Sequence, residues 1–87
     1  MRLRYEISKQ RISSDKGSIF FTISFSGDLI SASITRAAVT AMDGVGRRNI
    51  LLVFNDKLDA IAIAAFRKLT SNPYAGVISL GLNDFQH

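Results

Sequence analysis

Ile19, Phe21, Ile23 and Phe25 alternate with Phe20, Thr22, Ser24 and Ser26, an order that a β-strand uses and a helix does not. Successive side chains of a strand point to opposite faces, so four bulky apolar groups fall on one side. Met1 to Ser8 alternates in the same way, with Leu3, Tyr5 and Ile7 against Arg2, Arg4 and Glu6. The two segments predict an antiparallel hairpin. The polar stretch from Lys9 to Gly17 joins them and ends on the turn signal Asp15-Lys16-Gly17.

After Gly27-Asp28 the period changes. Ile30, Ile34, Ala37, Ala38 and Ala41 fall at helical spacing, which predicts a helix capped by Asp28 or Ser31 and closed by Gly44 and Gly46. The short apolar run Ile50-Leu51-Leu52-Val53-Phe54 reads as a central strand over residues 49–55, covered on both faces. Leu58, Ile61, Ala62, Ala65, Phe66 and Leu69 follow one helix face without a miss. Asp56 or Asn55 is placed to cap that helix, Asp59 lies in its first turn, Arg67 and Lys68 lie in its last, and Asn72-Pro73 follows. Gly76 to Leu82 predicts the last strand, with Ile78, Leu80 and Leu82 toward the helices and Val77, Ser79 and Gly81 away from them. The expected architecture is one α/β domain over residues 1–87. It has a four-stranded mixed sheet, element order β-β-α-β-α-β, and two helices on one face.

Composition narrows the function. The chain has 87 residues, no Cys and one His, at the C-terminus. That excludes disulfides, thiolate metal sites, Cys nucleophiles and His-based triads. The longest apolar run, Ile50 to Phe54, is too short to span a bilayer, and the first twenty residues lack the apolar stretch of a signal peptide. A cytoplasmic chain with no membrane association is expected.

The predicted topology gathers Asp28, Asn55, Asp56, Asp59, Asn83 and Asp84 at one sheet edge. Such an edge can hold Mg²⁺ or paired acid–base carboxylates. Capping and helix-dipole roles already account for Asp28, Asp56 and Asp59, and no long loop is available to wall off a pocket. No metal, cofactor or catalytic residue is therefore expected, and the chain reads as a non-enzyme. Asp43-Gly44-Val45-Gly46-Arg47-Arg48 has the glycines of a phosphate loop in the wrong order, after a helix and before a strand.

Two interaction surfaces remain. The face of the sheet away from the helices is expected to carry Thr22, Ser24, Leu51 or Leu52, Val53, Val77, Ser79 and Gly81, mostly small residues. An apolar central strand with no helix left to cover its second face points to a homodimer or a partner protein on that face, with Val77 and Ser79 as contacts. The opposite sheet edge collects Lys9, Arg11, Lys16, Arg47 and Arg48, and the chain has a formal net charge of +4. Those residues offer a nucleic-acid or anion contact as the alternative. The phenylalanines fall at core periods and do not interleave with the basic residues as a stacking platform requires.

Tyr5-Glu6-Ile7-Ser8, a polar hairpin, Phe21 to Phe25, Ser26-Gly27-Asp28-Leu29 and Arg47-Arg48-Asn49 leading into Ile50 to Phe54 together resemble the STAS domain. STAS domains occur in anti-sigma-factor antagonists and at the ends of sulfate transporters. The resemblance implies a regulatory or scaffold domain acting through protein contact. The partner-docking loop would lie around Asp56, Lys57 and Asp59. In the family a phosphorylatable hydroxyl follows the Asp matched by Asp59; here Ala60 stands in its place, so phospho-switching is not implied. A Clp-protease or crotonase-like unit is a rival resemblance, without that family's glycine-rich oxyanion loop or nucleophilic Ser.

Overall fold

A computed structural model describes residues 4–15, 17–43, 49–72 and 76–85. Its elements run β1 (Glu6–Ile12), β2 (Ser18–Phe25), β3 (Asp28–Thr35), α1 (Arg36–Asp43), α2 (Ile50–Asp56), α3 (Leu58–Ser71) and β4 (Val77–Leu80), followed by a 3₁₀ turn at Leu82–Phe85. The fold is α/β with one four-stranded mixed sheet in the order β1-β2-β3-β4. β1, β2 and β3 form an antiparallel meander, and β4 pairs parallel to β3. The three α-helices of the described residues lie in the connection between β3 and β4.

The element order departs from expectation at two places. Residues 28–35 form a strand where a helix was expected. Ser26 and Gly27 both take positive φ, 54° and 91°, and Phe25 pairs with Asp28 across them. Positive φ at both central residues is the geometry of the tight hairpin turn whose twist matches the flanking strands. Beyond the turn, Ile30, Ala32 and Ile34 alternate with Ser31, Ser33 and Thr35 and pair in register with β2. Asp28 and Ser31 are therefore strand residues and cap nothing. The helix starts at Arg36, where Thr35 Oγ1 accepts the Ala38 N–H at 3.2 Å. Gly44 and Gly46, expected to close it, lie outside the described residues.

Ile50 to Phe54 forms α2 where a central strand was expected. Ile50, Val53 and Phe54 are buried at i, i+3 and i+4, while Leu52 is 60% exposed. Asn49 caps the helix, its Oδ1 accepting the Leu51 N–H at 2.8 Å. A run of five apolar residues fits either element, and the one-sided burial belongs to a helix. The cap assignment moves with it. Asn55 and Asp56 close α2, and α3 starts from Lys57 with no side-chain cap. The helix over Leu58–Leu69 stands, extended to Ser71.

β1 runs through residues expected to be loop. Ile7 pairs with Ile23 and Ser8 with Thr22, then the register shifts, and Arg11 pairs with Phe20 and Ile12 with Ile19. Lys9 and Gln10 thus oppose Phe21 alone, which is a β-bulge, and Lys9 takes φ 58°. Strict alternation from Tyr5 and Ile7 would drive Lys9 and Arg11 into the core and Ile12 out of it. The extra residue reverses the parity, at about 1 kcal/mol for a left-handed residue with a Cβ. At the hairpin end, Asp15 accepts hydrogen bonds from the Ser13 hydroxyl and the Gly17 N–H, which hold its carboxyl below the usual range.

The core lies between the helices and one sheet face. Ile19, Phe21, Ile23, Ile34, Ile78 and Leu80 from the sheet meet Val39, Val53, Phe54, Ile61 and Ala65 from the helices. Phe21 and Phe54 meet edge to face with ring centroids 5.0 Å apart. Phe66, expected in the core, is 43% exposed and reaches Phe25 at 5.5 Å from the margin. Phe54→Ala therefore loses about 3–5 kcal/mol, and Phe66→Ala only about 1–2 kcal/mol, by urea unfolding. Equal losses at the two positions would contradict the placement of α2 and α3.

Candidate functional site

The second face of the sheet carries no described helix. Residue pairing sets its side chains in rows across the strands. Arg11, Phe20, Ser33 and Ser79 form one row, and Ser8, Thr22, Ser31 and Val77 the next. Hydroxyl groups fill the middle. Phe20 at 41%, Val77 at 59% and Leu29 at 74% exposure stand among them.

A concavity of about 540 Å³ opens on this face, lined by Lys9, Arg11, Phe20, Thr22, Ser31 and Val77, with Phe21 and Ala32 also bordering it. The Arg11 guanidinium lies over the Phe20 ring, its Cζ 5.3 Å from the centroid, a cation–π contact. Neither Arg11 nor Lys9 has a carboxylate partner among the described residues. The shallower neighbouring depression is charge-balanced, with Arg4 and Glu6 beside Ser24, Ser26 and Gly27.

The partner-contact residues expected from the sequence fall in two places. Val77 and Ser79 lie on the open face, with the parity expected for them. Asp56, Lys57 and Asp59 sit at the α2–α3 junction, in the helix layer. Asp59 there accepts a hydrogen bond from the Tyr5 hydroxyl, tying α3 to the start of β1. Of the residues expected to form the basic edge, Lys9 and Arg11 reach the open face, across the concavity from Val77. Lys16, Arg47 and Arg48 lie outside the described residues. Lys68 lies 3.3 Å from the Asp84 carboxylate, which also accepts the Gly81 N–H.

The expected acidic edge is not one edge, since Asp28 opens β3 while Asp84 follows the end of β4, which runs parallel to it. Asp28 follows the β2–β3 turn, Asp56 ends α2, and Asp84 lies in the 3₁₀ turn. Among the described residues no three His, Cys, Asp or Glu groups come together as metal ligands. No helix of the described residues is long and apolar enough to cross a membrane. Sequence reasoning set Phe20 away from the core face but missed Arg11 over its ring, and it missed Ser31 and Ser33 as strand residues of the open face. The signal for the serines was present in the alternation of Ile30, Ala32 and Ile34.

Comparison with protein-family models, curated proteins and solved structures finds no match to this chain.

The Tyr5–Asp59 contact carries a pH dependence. Burial first, then the hydrogen bond to Asp59 and its charge, raise the Tyr5 hydroxyl from its ordinary value of 10.0 to about 12. The folded value lies above the unfolded one, so this stabilisation is complete below pH 10.0 and is lost as the pH rises to about 12. Asp59→Asn should bring the Tyr5 ring titration, followed by NMR, back toward 10.0. Tyr5→Phe should lose about 0.5–1 kcal/mol at neutral pH, the lower part of the hydrogen-bond range because the pair is partly solvated. An unshifted titration in Asp59→Asn would contradict the contact.

Proposed function

We propose that this chain is a non-enzymatic regulatory or scaffold domain that acts through protein–protein contact at the open face of its sheet. The observation that carries this reading is the exposure of Phe20, Leu29 and Val77 on one face, around hydroxyl-bearing side chains. Small residues let another surface approach closely, and exposed apolar groups gain free energy when it does. The STAS-like form of this proposal has the four-stranded mixed sheet in its support. The order of elements, with a strand where that likeness expects a helix, adds nothing to it. The occupant of the face is a partner protein or a second copy of the chain.

Nucleic-acid binding is the second reading, favoured by Lys9 and Arg11 beside Phe20 on the same face. Salt separates the two. Phosphate contacts weaken steeply with ionic strength, whereas an apolar interface changes little.

Val77→Asp tests the proposal, because Val77 is exposed and outside the core, so the fold accepts the charge in the free chain. The variant should keep its thermal midpoint and lose association, measured by sedimentation for self-association and by pull-down at raised salt for a partner. Ile78→Asp, one residue on, should unfold the chain, since Ile78 is buried. Association unaffected by Val77→Asp would overturn the reading.

A further inference from the structure

The open face carries a charge pattern that specifies its partner. The β-bulge places Lys9 and Arg11 together at one side of the concavity, and Val77 stands at the other. Both cations are unpaired with any carboxylate of the described residues, and no acidic side chain lines the concavity. Between them and Val77 lie the Thr22 and Ser31 side chains, which donate and accept hydrogen bonds. A surface complementary to this one is negative at one end and aliphatic at the other.

We propose that the concavity binds an acidic segment of a partner protein, its carboxylates set on Lys9 and Arg11 and an aliphatic side chain on Val77. The inference rests on the reading of the open face as a protein-contact surface and names the chemistry of the partner. Arg11 is prepared for such a contact. Its guanidinium is held against the Phe20 ring, so its N–H groups meet a carboxylate with less loss of side-chain freedom. A nucleic-acid strand fits less well. Base stacking needs an open aromatic face, and the exposed ring in the concavity has the guanidinium over it. Val77 and Leu29 add aliphatic surface, which suits side chains more than bases.

Lys9 provides a clean variant. At φ 58° glycine is the residue that fits best, so Lys9→Gly removes the ammonium group while favouring the bulge. The experiment is an NMR titration of the ¹⁵N-labelled full chain with three probes: a short peptide alternating Glu with Leu, the same peptide with Gln for Glu, and an oligothymidylate. The Glu peptide should bind, with amide shifts centred on Lys9, Arg11, Thr22, Ser31 and Val77. Lys9→Gly and Arg11→Gln should each weaken it by about two- to fivefold, and by about tenfold together. The Gln peptide and the oligothymidylate should bind more weakly than the Glu peptide.

Equal binding of the Glu and Gln peptides would overturn the inference, as would tighter binding of the oligothymidylate, or no binding of any probe by the wild-type chain. If Val77→Asp abolishes peptide binding while Lys9→Gly and Arg11→Gln leave it unchanged, the open face stands as a contact surface and the acidic partner is refuted. Shifts confined to the helix layer would refute both.

Discussion

One extra residue in β1 decides what the surface of this molecule offers. The strand must place Tyr5, Ile7 and Ile12 toward the helices, yet positions 7 and 12 have opposite parity. Without a register shift, either Ile12 leaves the core or Arg11 enters it. Exposing an isoleucine forfeits about 1.5–3 kcal/mol of apolar burial, and burying an unpaired guanidinium loses far more. A left-handed Lys9 is the smaller loss, and the strand takes it. The chemical consequence is that Lys9 and Arg11 emerge together on the sheet's second face.

That face stays open because of where the helices fall in the chain. Among the described residues a meander of hairpins connects β1, β2 and β3 and the α-helices come from the connection to β4, so the cover falls on one face. The apolar parity of the strands agrees with this one-sided cover. Ile19, Phe21, Ile23, Ala32, Ile34, Ile78 and Leu80 all point inward, and the residues between them carry mostly hydroxyl groups. Within the helix layer the small side chains of Ala38, Ala62 and Ala65 allow close packing on the sheet, and Phe54 supplies the bulk. The second face of the sheet is thereby left without cover from the described helices, with the Arg11 guanidinium over the Phe20 ring.

Much of this was legible in the residues and some was not. The alternation of β2, the helix at α3 and the parity of Val77 and Ser79 depend on short-range periodicity and are present, while Phe66 sits at the margin of the α3 face and not in the core. Residues 28–35 were misread because Ile30 and Ile34 fit a spacing of four as well as a spacing of two. The turn at Ser26-Gly27 was the arbiter, and its positive φ at a serine is not visible as a strong turn signal. Ile50 to Phe54 is ambiguous by composition alone, and the Asn49 cap resolves it. The cap expected at Asp56 failed with that strand, since the preceding element became a helix. The β-bulge is the least local feature. Nothing in Lys9-Gln10 announces it, because it is imposed by the demand that both Ile7 and Ile12 face the same core. The candidate site inherited that difficulty: Lys9 and Arg11 read as part of a basic edge with Lys16, Arg47 and Arg48, but their position on the concavity with Phe20 depends on the register shift.

The chain has no native cysteine, so single cysteines report side-chain direction without background. The most direct test of the account is the thiol-labelling rate of cysteines placed one at a time at Arg11, Ile12, Ser31, Ala32, Ser33 and Ile34 in the folded chain. The account predicts fast labelling at Arg11, Ser31 and Ser33, with protection at Ala32 and Ile34 and slower labelling at Ile12. That is a period of two on β3, with the outward phase of β1 falling on Arg11. A helical period over residues 31–34, or protection of Arg11 with exposure of Ile12, would contradict it.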